Sequence, residues 1–317
     1  MSRPVRIALI SFCSLLVVWF SLGAVGAYIF SMPLNRDFED VATLGEHTVE
    51  PVSFEATDGK PVSGWYVAQE SDKAVIFTHG IGGDRRHNNR NAEFFLERGY
   101  ATLLIDLRSH GKSAPVSTSV GYFERHDLMG ALNFLKAKGY KHIGASGVSL
   151  GAATIAFSFM EKPELSFVVL ESSYDTIDHA LNNRVQMVGA PVWVVYPFRL
   201  FSPMFVGAGP DQIRPLDWMD EITVPTLILA GDSEKELKVE ETQSLYDACG
   251  AKVKEIHFFK GARHNTHKLG KYPEEYTSVM DEFLTKVFPT RPAPADSLAS
   301  SNEGNAVTQE AGALSAL

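Results

Sequence analysis

The chain has 317 residues, two cysteines and a formal charge of −9. That length suits one large α/β domain with appendages. The acidic balance, with no basic block beyond the N-terminus, argues against a nucleic-acid partner. Cys13 stands in an apolar run, far from Cys249, so no intramolecular disulfide framework is expected.

Ile7 to Phe30 is apolar, broken only by Ser, Gly and Cys. A run of about two dozen such residues can span a bilayer as one helix. Arg3 and Arg6 precede it, while Asp37, Glu39 and Asp40 surround Arg36. The positive-inside rule then puts the N-terminus in the cytoplasm and the rest of the chain outside. The competing reading is a signal peptide cleaved after Val25-Gly26-Ala27, which would leave a secreted or periplasmic protein. The run exceeds the usual h-region of about 7–15 residues and continues past Ala27, which favours an uncleaved anchor. The expected organisation is an anchor at 1–30, a polar linker at 31–46 and a folded domain at 47–288. Residues 289–317, dominated by Pro, Ala, Ser and Asn, are expected to be a disordered tail.

Within the domain, Thr48 to Ala56 alternates apolar and polar residues, Thr57-Asp58-Gly59-Lys60 turns, and Pro61 to Ala68 returns. This predicts a β-hairpin. Ala74 to Thr78 and Tyr100 to Ile105 are continuous apolar runs, as parallel strands buried on both faces require. Between them, Asn91 to Arg98 predicts a helix ended by Gly99. Tyr122 to Lys136 predicts another, with Glu124 and Asp127 suiting the dipole of its first turn.

The stretch Ile143 to Thr154 contains Gly147-Val148-Ser149-Leu150-Gly151. A G-x-S-x-G pentapeptide between a short strand and a small-residue helix describes a tight turn that presents a serine hydroxyl at a helix N-terminus. The flanking glycines leave room where strand and helix close on each other. Phe167 to Leu170 predicts the next strand, and Pro225 to Ala230 the one after it. The intervening insert, about 173–223, is far longer than an ordinary crossover. Its apolar part, Met187 to Gly207, carries Pro191, Pro197, Arg199 and Pro203, which argues against a second span. It reads either as a helical crossover on the sheet or as a cap that walls a pocket or touches the bilayer. Val253 to Phe259 predicts the last strand, and Glu275 to Phe288 a closing helix.

Together these phrases resemble the α/β-hydrolase superfamily, in its prolyl-oligopeptidase-like or acyl-esterase branch. The matching phrases are T-D-G at 57–59, H-G-I-G-G at 79–83, D-L-R-S-H-G-K-S at 106–113, the serine turn, and G-A-R-H-N at 261–265. They run from about Val49 to Phe288 in the family's order. In the third phrase Ser109 replaces the usual Gly. The resemblance implies an α/β fold with a mostly parallel central sheet flanked by helices, and a serine hydrolase acting through an acyl-serine. By that resemblance Ser149 is the nucleophile, His264 the general base, and the N–H groups of Ile81 and Leu150 the oxyanion donors. Counting from Gly231, Glu234 takes the acid position where Asp is usual, and Asp232 is the alternative. His79, Asp106, Arg108 and His110 are expected as scaffold. No metal or organic cofactor is implied, and His264-x-x-His267 is too sparse for a metal site. The expected substrate is a small acyl ester or thioester. A serine peptidase of the same fold, or a non-catalytic membrane-anchored interaction protein, stays open, as does the oligomeric state.

Overall fold

The computed structural model describes residues 2–288, so the expected tail lies outside the described residues. Eight strands form one sheet: β1 (Glu50–Glu55), β2 (Pro61–Val67), β3 (Lys73–Thr78), β4 (Ala101–Ile105), β5 (His142–Val148), β6 (Phe167–Glu171), β7 (Thr226–Gly231) and β8 (Lys254–Phe259). Their spatial order is 1-2-4-3-5-6-7-8. β2 runs antiparallel to both its neighbours, and every other pairing is parallel. The helices are α1 (Arg3–Ser31), α2 (Asn89–Leu96), α3 (Arg125–Ala137), α4 (Leu150–Ser158), α5 (Ile177–Met187), α6 (Tyr196–Val206), α7 (Val239–Ala248), α8 (Lys268–Lys271) and α9 (Pro273–Val287).

The burial of each strand follows its place. β4, β6 and β7 are buried at every residue, whereas β1 at the edge has no fully buried residue. Runs without polar alternation belong in the middle of a parallel sheet covered on both sides. Leu103, Leu128, Ile143, Ala152, Ile155 and Val168 join β4, α3, β5, α4 and β6 in one core cluster. The register sets Thr78 of β3 beside Gly147 of β5, so the loop after β3 and the turn after β5 leave the sheet side by side.

Three expectations change on folding. The helix predicted from Tyr122 begins at Arg125, because the Glu124 carboxylate turns back on the preceding loop. It accepts hydrogen bonds from Thr118 Oγ1 (2.9 Å) and from the N–H groups of Ser119 (2.9 Å) and Gly121 (2.8 Å). Asp127 is likewise buried and paired with Arg108 at 2.7 Å, so neither carboxylate is a surface complement to a dipole. The segment expected as a plain linker is bound to the domain. Leu34 and Asn35 pair in parallel with His110 and Gly111, and Trp65 Nε1–H donates to Asp40 at 2.8 Å.

The long insert is helical, and α6 lies along α1 instead of covering the sheet. Trp19 stacks edge-on with Trp193, Phe20 with Phe201, Tyr28 with Phe205 and Phe30 with Phe198. A Cβ at Gly23 would stand 2.2 Å from Pro197 Cβ, so the absence of a side chain there permits this approach. An 18-residue stretch of α1 has a mean hydropathy of 2.3, and the helix is long and apolar enough to cross a membrane.

Candidate active site

Ser149 occupies the turn between β5 and α4 with φ +52° and ψ −109°, a conformation non-glycine residues rarely adopt. Its N–H is held by the Glu171 carbonyl at 2.8 Å. A Cβ at Gly147 would fall 2.5 Å from the Gly151 carbonyl carbon, and one at Gly151 would fall 2.4 Å from the Thr78 oxygen. The pentapeptide glycines are therefore steric requirements of this turn. Leu150 is the first residue of α4, so its N–H has no acceptor inside the helix. The loop after β3 runs close by: a Cβ at Gly80 would stand 3.6 Å from Ser149 Cβ. Ile81, Ser149 and His264 all border one cavity of about 520 Å³.

The acid loop after β7 resolves the two carboxylate candidates geometrically. Glu234 is buried, and its Oε2 accepts from His264 Nδ1 at 2.9 Å. Asp232 instead is exposed, accepting from Ser233 Oγ (2.9 Å) and from the Gly261 N–H (2.6 Å). The hydrogen bond to His264 thus belongs to Glu234, and Asp232 is bonded to Gly261 in the turn after β8. Among the described residues no hydrogen bond joins Ser149 Oγ to His264; the two side chains share the cavity without a direct bond, as unliganded sites often do.

Glu234 Oε1 has its own set of donors: the Gly231 N–H and Ser172 Oγ, both at 2.7 Å, with Lys268 Nζ at 3.3 Å. Burial alone would raise this carboxyl's pKa. The His264 hydrogen bond, the Lys268 charge and the Ser172 hydroxyl reverse that and hold it down at about 2. Lys268 is itself buried. Its Nζ donates to Ser172 Oγ at 2.6 Å and lies 3.3 Å from Glu171 Oε1. Burial opposes its charge, but the Glu171 and Glu234 carboxylates outweigh that and raise its pKa.

Sequence reasoning missed Lys268 and Glu171. A lysine is almost never fully buried unless paired, and nothing in its neighbours announces a partner 97 residues away in sequence. Its place four positions after His264 is the sole local hint.

The D-L-R-S-H-G phrase builds the loop's support. Asp106 accepts from the N–H groups of Arg85 and Lys112, both at 2.8 Å, and pairs with the Arg85 guanidinium at 2.7 Å. Arg108 forks between Asp58 and Asp127. His110 Nε2 accepts the Gly82 N–H at 3.0 Å, and His79 Nε2 accepts the Leu107 N–H at 3.1 Å. Burial, reinforced by the neighbouring His110, pushes His79 down to about 4, so it is neutral at pH 7. Its Nδ1–H then donates to the Gly80 carbonyl at 2.8 Å. Both imidazoles thus brace the Gly80–Gly83 loop and hold its backbone in place.

Known proteins with this arrangement bear on the fold. An esterase from Pyrococcus furiosus superposes with a TM-score of 0.68 at 29% identity, over 80% of this chain and 98% of its own. This is the α/β-hydrolase fold. A bacterial membrane phospholipase A shares it at 18% identity, with a TM-score of 0.58 over 90% of this chain and 97% of the phospholipase. An uncharacterized protein of Bacillus subtilis, YqkD, is 24% identical over 71% of this chain and 77% of its own length. The family model described as serine aminopeptidase, S33, matches residues 214–268, a segment holding Glu234, His264 and Lys268.

Proposed function

We propose that the protein is a membrane-anchored serine hydrolase that cleaves a carboxylic ester or thioester through an acyl-Ser149 intermediate. The observation that carries this is the hydrogen bond of 2.9 Å from half-buried His264 to buried Glu234, with His264 bordering the same cavity as the strained Ser149. His264 Nε2 takes the proton as Ser149 Oγ attacks the acyl carbon. The N–H groups of Ile81 and Leu150 hold the oxyanion that forms. Collapse breaks the bond to the leaving group, which takes the proton from His264. Water then repeats the sequence and releases the acid. Glu234, ionised well below neutral pH, holds the Nδ1–H tautomer and stabilises the imidazolium.

A fluorophosphonate probe is expected to label the wild-type chain and not Ser149→Ala. Ser149→Ala or His264→Ala is expected to lower turnover by about four to six orders of magnitude. Labelling that persists in Ser149→Ala sinks the assignment, and absence of labelling in both favours a non-catalytic protein. The aminopeptidase family match over 214–268 gives the peptidase a specific claim as second reading. Comparing p-nitrophenyl acyl esters with aminoacyl substrates separates the two.

The N-terminal helix supports the anchor, with the domain outside the cytoplasm as the charge pattern implies. The small-molecule acyl substrate is the remaining partner of this reading.

A further inference from the structure

The α6 helix and the 3₁₀ turn before it, Val192–Val195, carry an apolar face left uncovered among the described residues. Tyr196, Leu200 and Met204, spaced by four, are 62%, 61% and 74% exposed. Trp193 continues the stripe at 55%. Arg199, the lone charge between 192 and 206, is turned onto Asp178 of α5 at 2.6 Å, so the outward stripe is uncharged. The other faces of α6 are occupied: Phe198, Phe201 and Phe205 meet rings of α1, and Ser202 and Val206 are buried. An uninterrupted apolar surface of this kind on a water-soluble domain marks an interaction site.

We infer that this face of α6, together with the C-terminal part of α1, is seated in the interfacial layer of the lipid bilayer. Three observations select lipid as the occupant. First, the stripe is continuous with α1, whose apolar residues are exposed along its length. Second, the 29 residues of α1 rise about 44 Å, while about 30 Å spans the hydrocarbon core, so its last turns extend to headgroup depth. α6 packs against residues 19–30, which include those turns. Third, Tyr28 stands in those last turns, and Trp193 and Tyr196 belong to the stripe itself, all residue types that favour the membrane interface. The arrangement bears on the proposed hydrolysis, on which this step rests. Phe30, in the last turn of α1, borders a second cavity of about 60 Å³ together with Ser149, Leu150 and Tyr174. The site thus opens beside the lipid surface, where the ester of an amphiphile resides.

The test uses the full chain with Cys13→Ser and Cys249→Ser, reconstituted in phosphatidylcholine vesicles, and needs no catalysis, so Ser149→Ala protein serves equally well. Single cysteines at Leu200→Cys or Met204→Cys carry a fluorophore, with Leu15→Cys in α1 and Glu240→Cys on the exposed start of α7 as the lipid and water controls. The expected result is loss of emission at 200 and 204 with nitroxide-labelled lipids, as at 15, and none at 240. Quenching of 200 and 204 by aqueous iodide, with no effect of nitroxide lipids, overturns the inference. Protection from both quenchers with disulfide cross-linking between chains also overturns it, assigning the face to a second copy. Because the readout is depth and not turnover, failure here leaves the hydrolase reading intact, and loss of activity leaves this one intact.

Discussion

Lys268 is the residue whose removal tests the electrostatics of the site most directly. Its Nζ sits between two carboxylates, one of which holds His264. In Lys268→Met, Glu171 and Glu234 are left buried without their cation, a loss of about 3–5 kcal/mol in stability. Glu234 loses a charge that helps keep it ionised, so the acid limb of kcat/KM is expected to move to higher pH. Stability follows the same group. Glu234 titrates at about 2 when folded and near about 4.3 when unfolded. It therefore adds stability above roughly pH 4.3 that is lost as pH falls toward 2. In Lys268→Met that loss is expected to begin at higher pH in acid-unfolding curves. An unmoved kcat/KM profile with lowered stability would make Lys268 a purely structural residue. Ser109 shows the other side of residue-scale reading. The family's usual glycine is replaced here, yet φ is +71° and Oγ is buried without a partner, so the position keeps the geometry glycine would suit.

At the scale of elements, the site depends on how closely α4 approaches β3. Gly151 makes that approach possible, since a Cβ there would meet the Thr78 oxygen at 2.4 Å and its carbon at 2.6 Å. Both are backbone atoms at the end of a central strand and have no room to give. Gly151→Ala is expected to cost about 1–3 kcal/mol by overpacking, read in thermal unfolding. It is expected to lower kcat/KM further than that loss of stability explains, because the shift separates the Leu150 N–H from the Gly80–Ile81 loop. Wild-type turnover in a destabilised Gly151→Ala would remove this loop–helix alignment from the account. The glycine spacing was legible in the sequence because steric demand acts on adjacent residues. The start of α3 was not, since Glu124 is drawn from the helix by donors at 118–121 whose positions only folding sets.

For the whole molecule, the proposed anchor would place the proposed hydrolysis at a membrane. An uncleaved anchor is expected to leave an intact chain, beginning at Met1, in the membrane fraction after alkaline carbonate washing. A mature N-terminus near Tyr28 in soluble protein would reverse that reading. The association of α1 with α6 adds weight beyond hydropathy: a cleaved signal would leave Trp193 and Phe201 without the rings they pack on.

Strand order along the chain, the serine turn and the glycine-rich loop were readable from residues alone, because strand burial and tight turns are imposed by neighbours in sequence. The acid was not. Asp232 and Glu234 stand two apart in one loop, and only the packing of β7 against β8 turns one onto the imidazole and the other onto Gly261. The buried lysine and the seat of α6 on α1 likewise required the folded chain. Both depend on pairing charges or apolar faces from segments more than thirty residues apart, and local pattern carries no record of such distances.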